Sequence, residues 1–241
     1  LVLNLATNAY DIFVLSYGGK LQKFSGIDFS EQWSFQHPDT ESSAAPVIGN
    51  FTSDHTPDVF LTLFKGIAPS FSDFYQIMLD GSNGDLKFID SIGQLNYASG
   101  NAIDLNNDGR DEAVTSLTYF TNGYFEHRLE KIDFETNIAS SITSLDAGVN
   151  LGSTPLFTDL EQDGSVDLIY ASRKDSINPV AWNGIVVSRV ELGLSVPNSG
   201  IAWGSYLGGN YDGLYSNTAE FCAENAVVAS ANVINPSCNG L

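Results

Sequence analysis

Short apolar runs alternate with polar turns along the whole chain, and this pattern predicts β-strands. The segments Asp73–Leu79, Phe125–Ile132 and Ile185–Leu192 combine partial alternation of apolar and polar residues with β-branched or aromatic side chains. Turns such as GSNGD and ETN separate these segments, and Asp11–Phe24 has the pattern of a similar hairpin. Long helical patterns with capping residues do not occur. The pattern therefore predicts an all-β protein.

A repeat of about 55 residues organises the predicted strands. Each copy has a short apolar stretch, a polar loop rich in Asp, Asn and Gly, and then a β-branched or aromatic run. The copies are Ala45–Leu63, Gly100–Thr118 and Ser153–Ser172. Their loops begin at Asn50, Asp104 and Asp159, which are 54 and 55 residues apart. Two nearly equal intervals indicate a structural repeat.

Several short strands in each repeat are typical of a β-propeller blade. The predicted units are 1–42, 43–93, 94–148 and 149–217, with the loop of the first unit expected before residue 1. Propellers close with roughly four to eight blades, so we expect these four blades or partial blades to belong to a larger ring. Residues 218–241 are interpreted as a linker and the start of a following repeat.

Two of the loops have the residue pattern of calcium sites. The Asp104 loop (Asp104–Glu112) and the Asp159 loop (Asp159–Asp167) carry oxygen-bearing side chains at positions 1, 3, 5 and 9 and glycine at position 6. Calcium takes six to eight oxygen ligands, and position 7 can supply a backbone carbonyl. The predicted ligands are Asp104, Asn106, Asp108, Arg110 and Glu112 in one loop and Asp159, Glu161, Asp163, Ser165 and Asp167 in the other. Two calcium ions are expected.

An EF-hand shares the opening residues of this motif, but the rest of its pattern does not fit. It needs a glutamate at position 12 and helices on both sides, whereas Thr115 and Tyr170 occupy that position within strand-like segments. Tight turns with solvated acids remain an alternative for both loops. The Asn50 loop (Asn50–Asp58) has His55 in place of the glycine, so we expect it to be empty or to bind calcium weakly.

Composition and charge exclude several classes of function. The 241 residues carry a net charge of −19 and have a sequence pI of about 4.1, which argues against binding to nucleic acid or to an anionic membrane surface. No apolar run approaches the ~20 residues of a membrane span. Cys222 and Cys238 are the two cysteines, and the sequence leaves open whether they pair. The ends of the chain suggest a piece of a longer protein.

The loops DLNNDGRDEAV and DLEQDGSVDLI, each followed by a strand, resemble the FG-GAP/VCBS repeats of integrin-like β-propellers. The resemblance covers about residues 1–217, and residues 201–217 resemble the closing strand of such a propeller. It implies calcium in the loops, a secreted or cell-surface location, and adhesion or ligand binding. The segment VVASANVINPSCNG resembles the start of repeats in large Bacteroidota surface adhesins, including those of gliding motility. That likeness implies a longer multidomain chain exported by type IX secretion.

Motifs of common enzymes do not occur, since the chain has no HExxH, GxSxG, P-loop or CxxC. We therefore expect a binding module rather than an enzyme, with a glycan or a surface protein as its partner. A polysaccharide lyase or glycosidase and a purely architectural spacer remain alternatives. Phe71, Tyr119 and Trp182 lie in long or aromatic loops and are the candidate ligand contacts. His127 is expected to face solvent.

Overall fold

The computed structural model describes residues 1–54, 56–150, 152–180 and 184–215. Every regular element within these ranges is a β-strand. The strands are β1 (Val2–Asn4), β2 (Ala9–Leu15), β3 (Lys20–Phe24), β4 (Glu31–Gln36), β5 (Thr40–Glu41), β6 (Val47–Gly49), β7 (Asp58–Ile67), β8 (Ser70–Leu79), β9 (Leu86–Asp90), β10 (Asn101–Ile103), β11 (Glu112–Thr121), β12 (Tyr124–Asp133), β13 (Ile138–Ser141), β14 (Asp146–Ala147), β15 (Leu156–Thr158), β16 (Ser165–Ser172) and β17 (Val186–Ser195). Within the described ranges we find no helix with the length and apolar character to cross a membrane.

These strands form four antiparallel sheets, each made from strands that are consecutive in sequence. We call them blade 1 (β1–β4), blade 2 (β5–β9), blade 3 (β10–β14) and blade 4 (β15–β17). In every blade a short inner strand pairs with a central strand, and the central strand pairs with the next strand along the chain. This repeated order is that of a β-propeller, and the predicted all-β propeller fold is confirmed.

Blade 1 differs in two details from the predicted first unit. Residues Thr40–Glu41 pair with β7 and so belong to blade 2, a few residues before the expected boundary. Blade 1 also has its own inner strand, β1, which a short turn joins to β2. In that turn the side-chain oxygen of Asn4 accepts a hydrogen bond from the backbone of Ala6. The expectation that this loop lies before residue 1 is therefore wrong, because blade 1 uses a short turn without an acidic motif.

The central strands of blades 2 and 3 are buried on both faces. The first seven residues of β7 and of β11 are all buried, including the polar ones. Their sequences, DVFLTLF and EAVTSLT, lack the alternation of a strand with one wet face because a neighbouring blade covers each side. By contrast, β17 alternates between half-buried and exposed residues over most of its length.

A contact between a large and a small residue joins blade 1 to blade 2. The ring of Trp33 packs on Gly84, where an added Cβ would lie 2.7 Å from the indole. The indole Nε1 also donates a hydrogen bond to the carbonyl of Gly81 at 3.2 Å. One blade further on, Phe88 takes the place of the tryptophan and packs on Phe134 of blade 3, with ring centroids 5.3 Å apart. Both pairs fill the space between blades. In the first pair a large tryptophan faces a glycine, and in the second two phenylalanines share the space.

Residues 201–215 link the inner strands of three blades. The carbonyl of Trp203 accepts a hydrogen bond from β10 at 3.1 Å, and that of Gly204 accepts one from β15 at 2.7 Å. The backbone N–H of Tyr215 donates to Leu1 at 2.9 Å, and Tyr215 forms a parallel bridge with β1. The Trp203 side chain is buried in the core, so it contributes to packing. This segment ties blades 1, 3 and 4 together.

His127 is buried rather than solvent-facing, with 2% of its surface exposed. It lies on β12 opposite Thr118 of β11, and neither the ring nitrogens nor the threonine hydroxyl has a hydrogen-bond partner. In blade 2 the same two positions hold Phe64 and Phe74, whose ring centroids are 5.3 Å apart. The expectation failed because alternation within a strand cannot identify a wet face when blades cover both sides.

Replacing His127 with phenylalanine should stabilise the fold. Burial lowers the pKa of His127, so its neutral form is favoured in the folded protein. The stability contributed by the neutral ring is full above the unfolded pKa of about 6.5 and is lost as the pH falls through and below it. We expect His127→Phe to gain about 1 kcal/mol at pH 7, because an unpaired polar group leaves the interior, and to gain more at pH 5.

Urea unfolding of both proteins between pH 5 and 8 measures this effect. His37→Phe is the matched control, because His37 lies beside Tyr75 and away from the interface of blades 3 and 4. An equal pH dependence for wild type and His127→Phe would contradict the assignment.

Candidate functional site: the acidic loops and an inter-blade groove

The Asp104 loop and the Asp159 loop have the same local geometry, and both join an inner strand to a central strand. The carboxylate at position 1 accepts hydrogen bonds from the backbone N–H groups at positions 5 and 6, at 3.1 and 2.9 Å for Asp104 and at 3.0 and 2.9 Å for Asp159. Position 6 has a positive φ, 92° at Gly109 and 83° at Gly164, which glycine adopts without strain. The motif therefore gives the same turn in both loops.

The remaining acids of these loops close the same turn. At position 5, Asp108 and Asp163 each accept the backbone N–H of position 7 at 2.9 Å. At position 9, Glu112 and Asp167 are buried and accept the backbone N–H of position 2, at 2.7 and 2.9 Å respectively. The structure thus gathers the predicted carboxylates of each loop around one turn, as anchors of its backbone.

The buried acid at position 9 has a lysine or arginine beside it. The cation lies on the strand that follows the central strand. In the sheet it pairs with the residue two positions after the acid. Blade 1 has the same arrangement without the loop motif. The pairs are Asp11 with Lys23 at 3.2 Å, Glu112 with Lys131 at 3.3 Å, and Asp167 with Arg189 at 2.8 Å. A buried carboxylate needs such a partner to remain charged at low cost.

Blade 2 is the exception, because Met78 occupies the position of the cation beside Asp58. Asp58 is fully buried and accepts backbone hydrogen bonds from Gly81 at 3.0 Å and Thr52 at 2.8 Å. Burial raises the pKa of Asp58 to about 6, and these hydrogen bonds offset only part of that effect. The carbonyl of Gly81 in turn accepts a hydrogen bond from Lys23 of blade 1 at 3.1 Å.

Arg189 makes the most extensive contact with any of the loop acids. Its Nη1 lies 2.7 Å from Oε1 of Glu161, and its Nη2 also contacts Oε2 of that residue. Its Nε and Nη2 lie 2.9 and 2.8 Å from Oδ1 of Asp167. The backbone N–H of Leu160, together with Arg189, holds the pKa of Asp167 below its ordinary value. In blade 3 burial raises the pKa of Glu112 despite Lys131.

The Asp104 loop has the oxygen donors and the turn of the predicted calcium motif, and cations contact two of its acids. Its lysine contacts one oxygen of Glu112, and Arg110 reaches Asp108 at 3.4 Å and also Glu135. In the Asp159 loop a guanidinium group joins positions 3 and 9. Across the described ranges, one trio of acids places an oxygen of each residue within 4.8 Å of the others, and this exposed group could bind a metal. It consists of Glu161, Asp163 and Glu191.

The Asn50 loop is shaped by contacts with blade 3. The backbone N–H of Asn50 donates to the carboxylate of Asp111 at 2.7 Å, and its side-chain amide donates to the carbonyl of Gly109 at 2.9 Å. Asn50 therefore bonds to the neighbouring loop instead of serving as position 1 of its own. Within the loop Asp54 accepts the backbone N–H of Thr56 at 2.9 Å, and His55 lies outside the described residues.

A groove of about 350 Å³ separates the Asn50 loop from the Asp104 loop side of blade 3. Polar residues make up eight of its eleven lining residues, and we call these the rim and the three apolar residues the floor. The floor consists of Phe51, Met78 and Phe134, and the rim of Thr52, Ser53, Asp54, Asp80, Lys87, Arg110, Glu135 and Asn137. Lys87 and Asp80 pair across 3.2 Å, so the rim offers both donors and acceptors.

The three candidate ligand contacts occupy different environments. Phe71 packs in an aromatic cluster with Phe64, at a centroid distance of 5.2 Å, and with Tyr97 at 6.1 Å. Tyr119 is half-buried, with the guanidinium of Arg128 5.0 Å from its ring centroid. Trp182 lies outside the described residues, as do Cys222 and Cys238. The contacts of Phe71 and Tyr119 are local packing contacts.

Sequence reasoning missed the cations, the groove and Glu191. Lys131, Arg189 and Glu191 lie about 20 residues or more after the loops they serve, on strands whose register decides which residues meet. Asp167 pairs directly with Glu191 in that register. A signal does exist in the repeat, because Lys131 and Arg189 occupy equivalent places in blades 3 and 4.

Comparison with known proteins identifies no family for this chain. No protein-family model matches the sequence, and no curated protein matches it. A solved structure that is similar is described as the crystal structure of BamB from Moraxella catarrhalis, with 15% sequence identity and a TM-score of 0.33. The match covers 69% of this chain and 46% of that one, so this chain spans about half the length of its structural neighbour.

Proposed function

We propose that this chain is a non-catalytic, ligand-binding β-propeller module of the FG-GAP/VCBS type. The groove between blades 2 and 3 is the observation that carries the proposal. The groove is concave, and its three apolar and eight polar lining residues offer both packing and hydrogen-bonding groups to a ligand. The loop acids support a structural role rather than catalysis, because Asp104, Glu112 and Asp167 hold the backbone of their loops by accepting its N–H groups.

A glycan is the ligand class that suits this groove best. Its rim alternates donors such as Lys87 and Asn137 with acceptors such as Asp54 and Glu135, which matches the many hydroxyl groups of a sugar. Phe134 is half-buried in the floor, and the apolar face of a sugar ring can pack on an aromatic side chain. The chain's net charge of −19 favours a neutral or cationic glycan over an anionic one.

We also propose calcium as a stabiliser and an extracellular, cell-surface setting. The Asp104 loop provides the oxygen donors and the turn that a calcium ion needs. Arg110 of that loop also reaches the groove, so an ordered loop would hold part of the binding surface in place. In this account the module belongs to a longer adhesin, exported by the type IX route, that attaches cells to a glycan or protein surface.

A larger ring is part of the same proposal. Apolar side chains are exposed on the open side of blade 1, at Tyr10 and Val14, and on the open side of blade 4, at Val187. Val187 has 70% of its surface exposed, although the residues at the same strand position in blades 2 and 3, Gln76 and Leu129, are buried. Further blades packed on these two faces would bury such residues.

Filling the groove should abolish ligand binding. Ser53 is exposed on the rim, so Ser53→Trp should block the groove without disturbing the core. We expect the wild-type chain to bind at least one glycan on a glycan array in calcium buffer, and Ser53→Trp to bind it at least about tenfold more weakly, a cost of about 1.4 kcal/mol. Ser144→Trp is the control because Ser144 is exposed and remote from the groove lining. Equal binding by the two variants would rule out the groove, and release of shorter sugars would contradict a non-catalytic role.

Calcium removal should lower the melting temperature. A ligand at 100 times its Kd stabilises the folded state by about 2.7 kcal/mol, which corresponds to roughly 5–10 °C for a chain of this size. Asp108→Asn should reduce this difference because it removes a charge from the loop while keeping side-chain oxygen. Asp133→Asn, in a turn outside the loops, is the matched control. Identical melting curves in calcium and in excess EDTA would contradict the calcium site.

A further inference from the structure

We propose that Arg189 takes the place of the metal ion in the Asp159 loop. On this inference, the two loops that share the calcium motif differ in their counterion, calcium in the Asp104 loop and a guanidinium group in the Asp159 loop. The inference rests on the proposed calcium site of the Asp104 loop for the contrast between the loops. The role of Arg189 itself follows from contacts within blade 4.

The guanidinium group contacts the carboxylates at two of the positions where a metal ion would find its ligands. Both carboxylate oxygens of Glu161, at position 3, contact Arg189. One oxygen of Asp167, at position 9, accepts from Nε and Nη2 of Arg189, and the other accepts the backbone N–H of Leu160 at 2.9 Å. Arginine stays protonated at any pH at which the protein folds, and its planar fork matches carboxylate geometry. The positive charge is therefore permanently present in the loop.

The Asp104 loop lacks such a bridge. Its position 3 is the neutral Asn106. Lys131 contacts Glu112 at 3.3 Å and Arg110 contacts Asp108 at 3.4 Å, so no single cation joins positions 3 and 9. The Asp159 loop has a carboxylate, Glu161, at that position, and it is this additional carboxylate that Arg189 holds. In blade 3 an asparagine at position 3 is accompanied by a lysine on the following strand. In blade 4 a glutamate at position 3 is accompanied by an arginine on the following strand. In blade 4 one guanidinium thus lies between two carboxylates, at the place where a divalent ion would otherwise bridge them.

The other possible metal ligands near this loop meet the same competitor. Glu161, Asp163 and Glu191 can bring one oxygen each within 4.8 Å of the others, but Glu161 is shared with Arg189. A metal ion at this group would have to displace the guanidinium or lie beside it. Removing Arg189 should therefore free Glu161 and Asp167 together and create a calcium site.

Calcium titration of the full chain tests this inference. We would strip the 241-residue protein with EDTA, dialyse it, and titrate CaCl₂ by isothermal titration calorimetry into wild type, Arg189→Gln and Arg128→Gln. Arg128→Gln is the matched control because Arg128 pairs with Glu130 outside the loops. We expect one more calcium ion bound by Arg189→Gln than by wild type, and no change for Arg128→Gln.

Melting curves give a second readout that does not depend on stoichiometry. Arg189→Gln should gain about 5 °C more than wild type when calcium replaces EDTA, because a new site stabilises only the folded chain. If the variant folds only when calcium is present, that result supports the inference as well. Arg189→Lys, which keeps the charge but loses the fork, should fall between the two.

The outcomes separate this inference from the proposed function. Two calcium ions in wild type would overturn the role of Arg189 and leave the Asp104 site intact. No calcium in wild type and one in Arg189→Gln would support Arg189 and contradict the Asp104 site. Equal stoichiometry and equal calcium-induced shifts in wild type and Arg189→Gln would overturn the inference.

Discussion

Each blade has a buried carboxylate among the first three residues of its central strand, and the charge of that carboxylate is the constraint on which the rest of the fold depends. Asp11, Asp58, Glu112 and Asp167 are all at most 3% exposed. An ionised acid is costly to bury unless hydrogen bonds and an opposite charge compensate it. Three blades supply a lysine or arginine from the next strand, and blade 2 supplies backbone N–H groups alone. The acid thereby fixes the turn before the strand and the register of the strand after it.

The same acids connect the blades to one another. Gly81 of blade 2 donates its N–H to Asp58, and its carbonyl accepts hydrogen bonds from Lys23 and Trp33 of blade 1. Gly81 thus links the buried acid of blade 2 to the lysine of blade 1. The groove lies beside blade 2, where no cation accompanies the acid and Met78 forms part of the floor. Blade 2, which has no lysine or arginine at the strand position beside its buried acid, therefore borders the proposed ligand site. In the proposed function the loops have a structural role and the groove binds the ligand.

The sequence was sufficient for the fold and the loops, since both depend on local patterns. Gly109 and Gly164 mark a turn that only a few residue types adopt, and an interval of about 55 residues repeats it. The prediction that His127 faces solvent was wrong because a strand packed between two blades has no solvent-exposed face. Arg189 and Glu191 were missed because their contacts depend on strand register across the β16–β17 pair, which a linear motif does not encode. Asn50 looked like a degenerate metal ligand, whereas it bonds to Asp111 and Gly109 of the next blade.

The most direct test restores the missing cation in blade 2. Met78→Lys places an ammonium group at the position that Lys23, Lys131 and Arg189 occupy in the other blades. The pKa of Asp58 is then measured by NMR titration of its carboxyl carbon, with Met78→Leu as the control. The account predicts that the pKa falls from about 6 by at least about one unit in Met78→Lys and stays near 6 in Met78→Leu. An unchanged pKa in the folded Met78→Lys protein would contradict the claim that this strand position neutralises the buried acid of each blade.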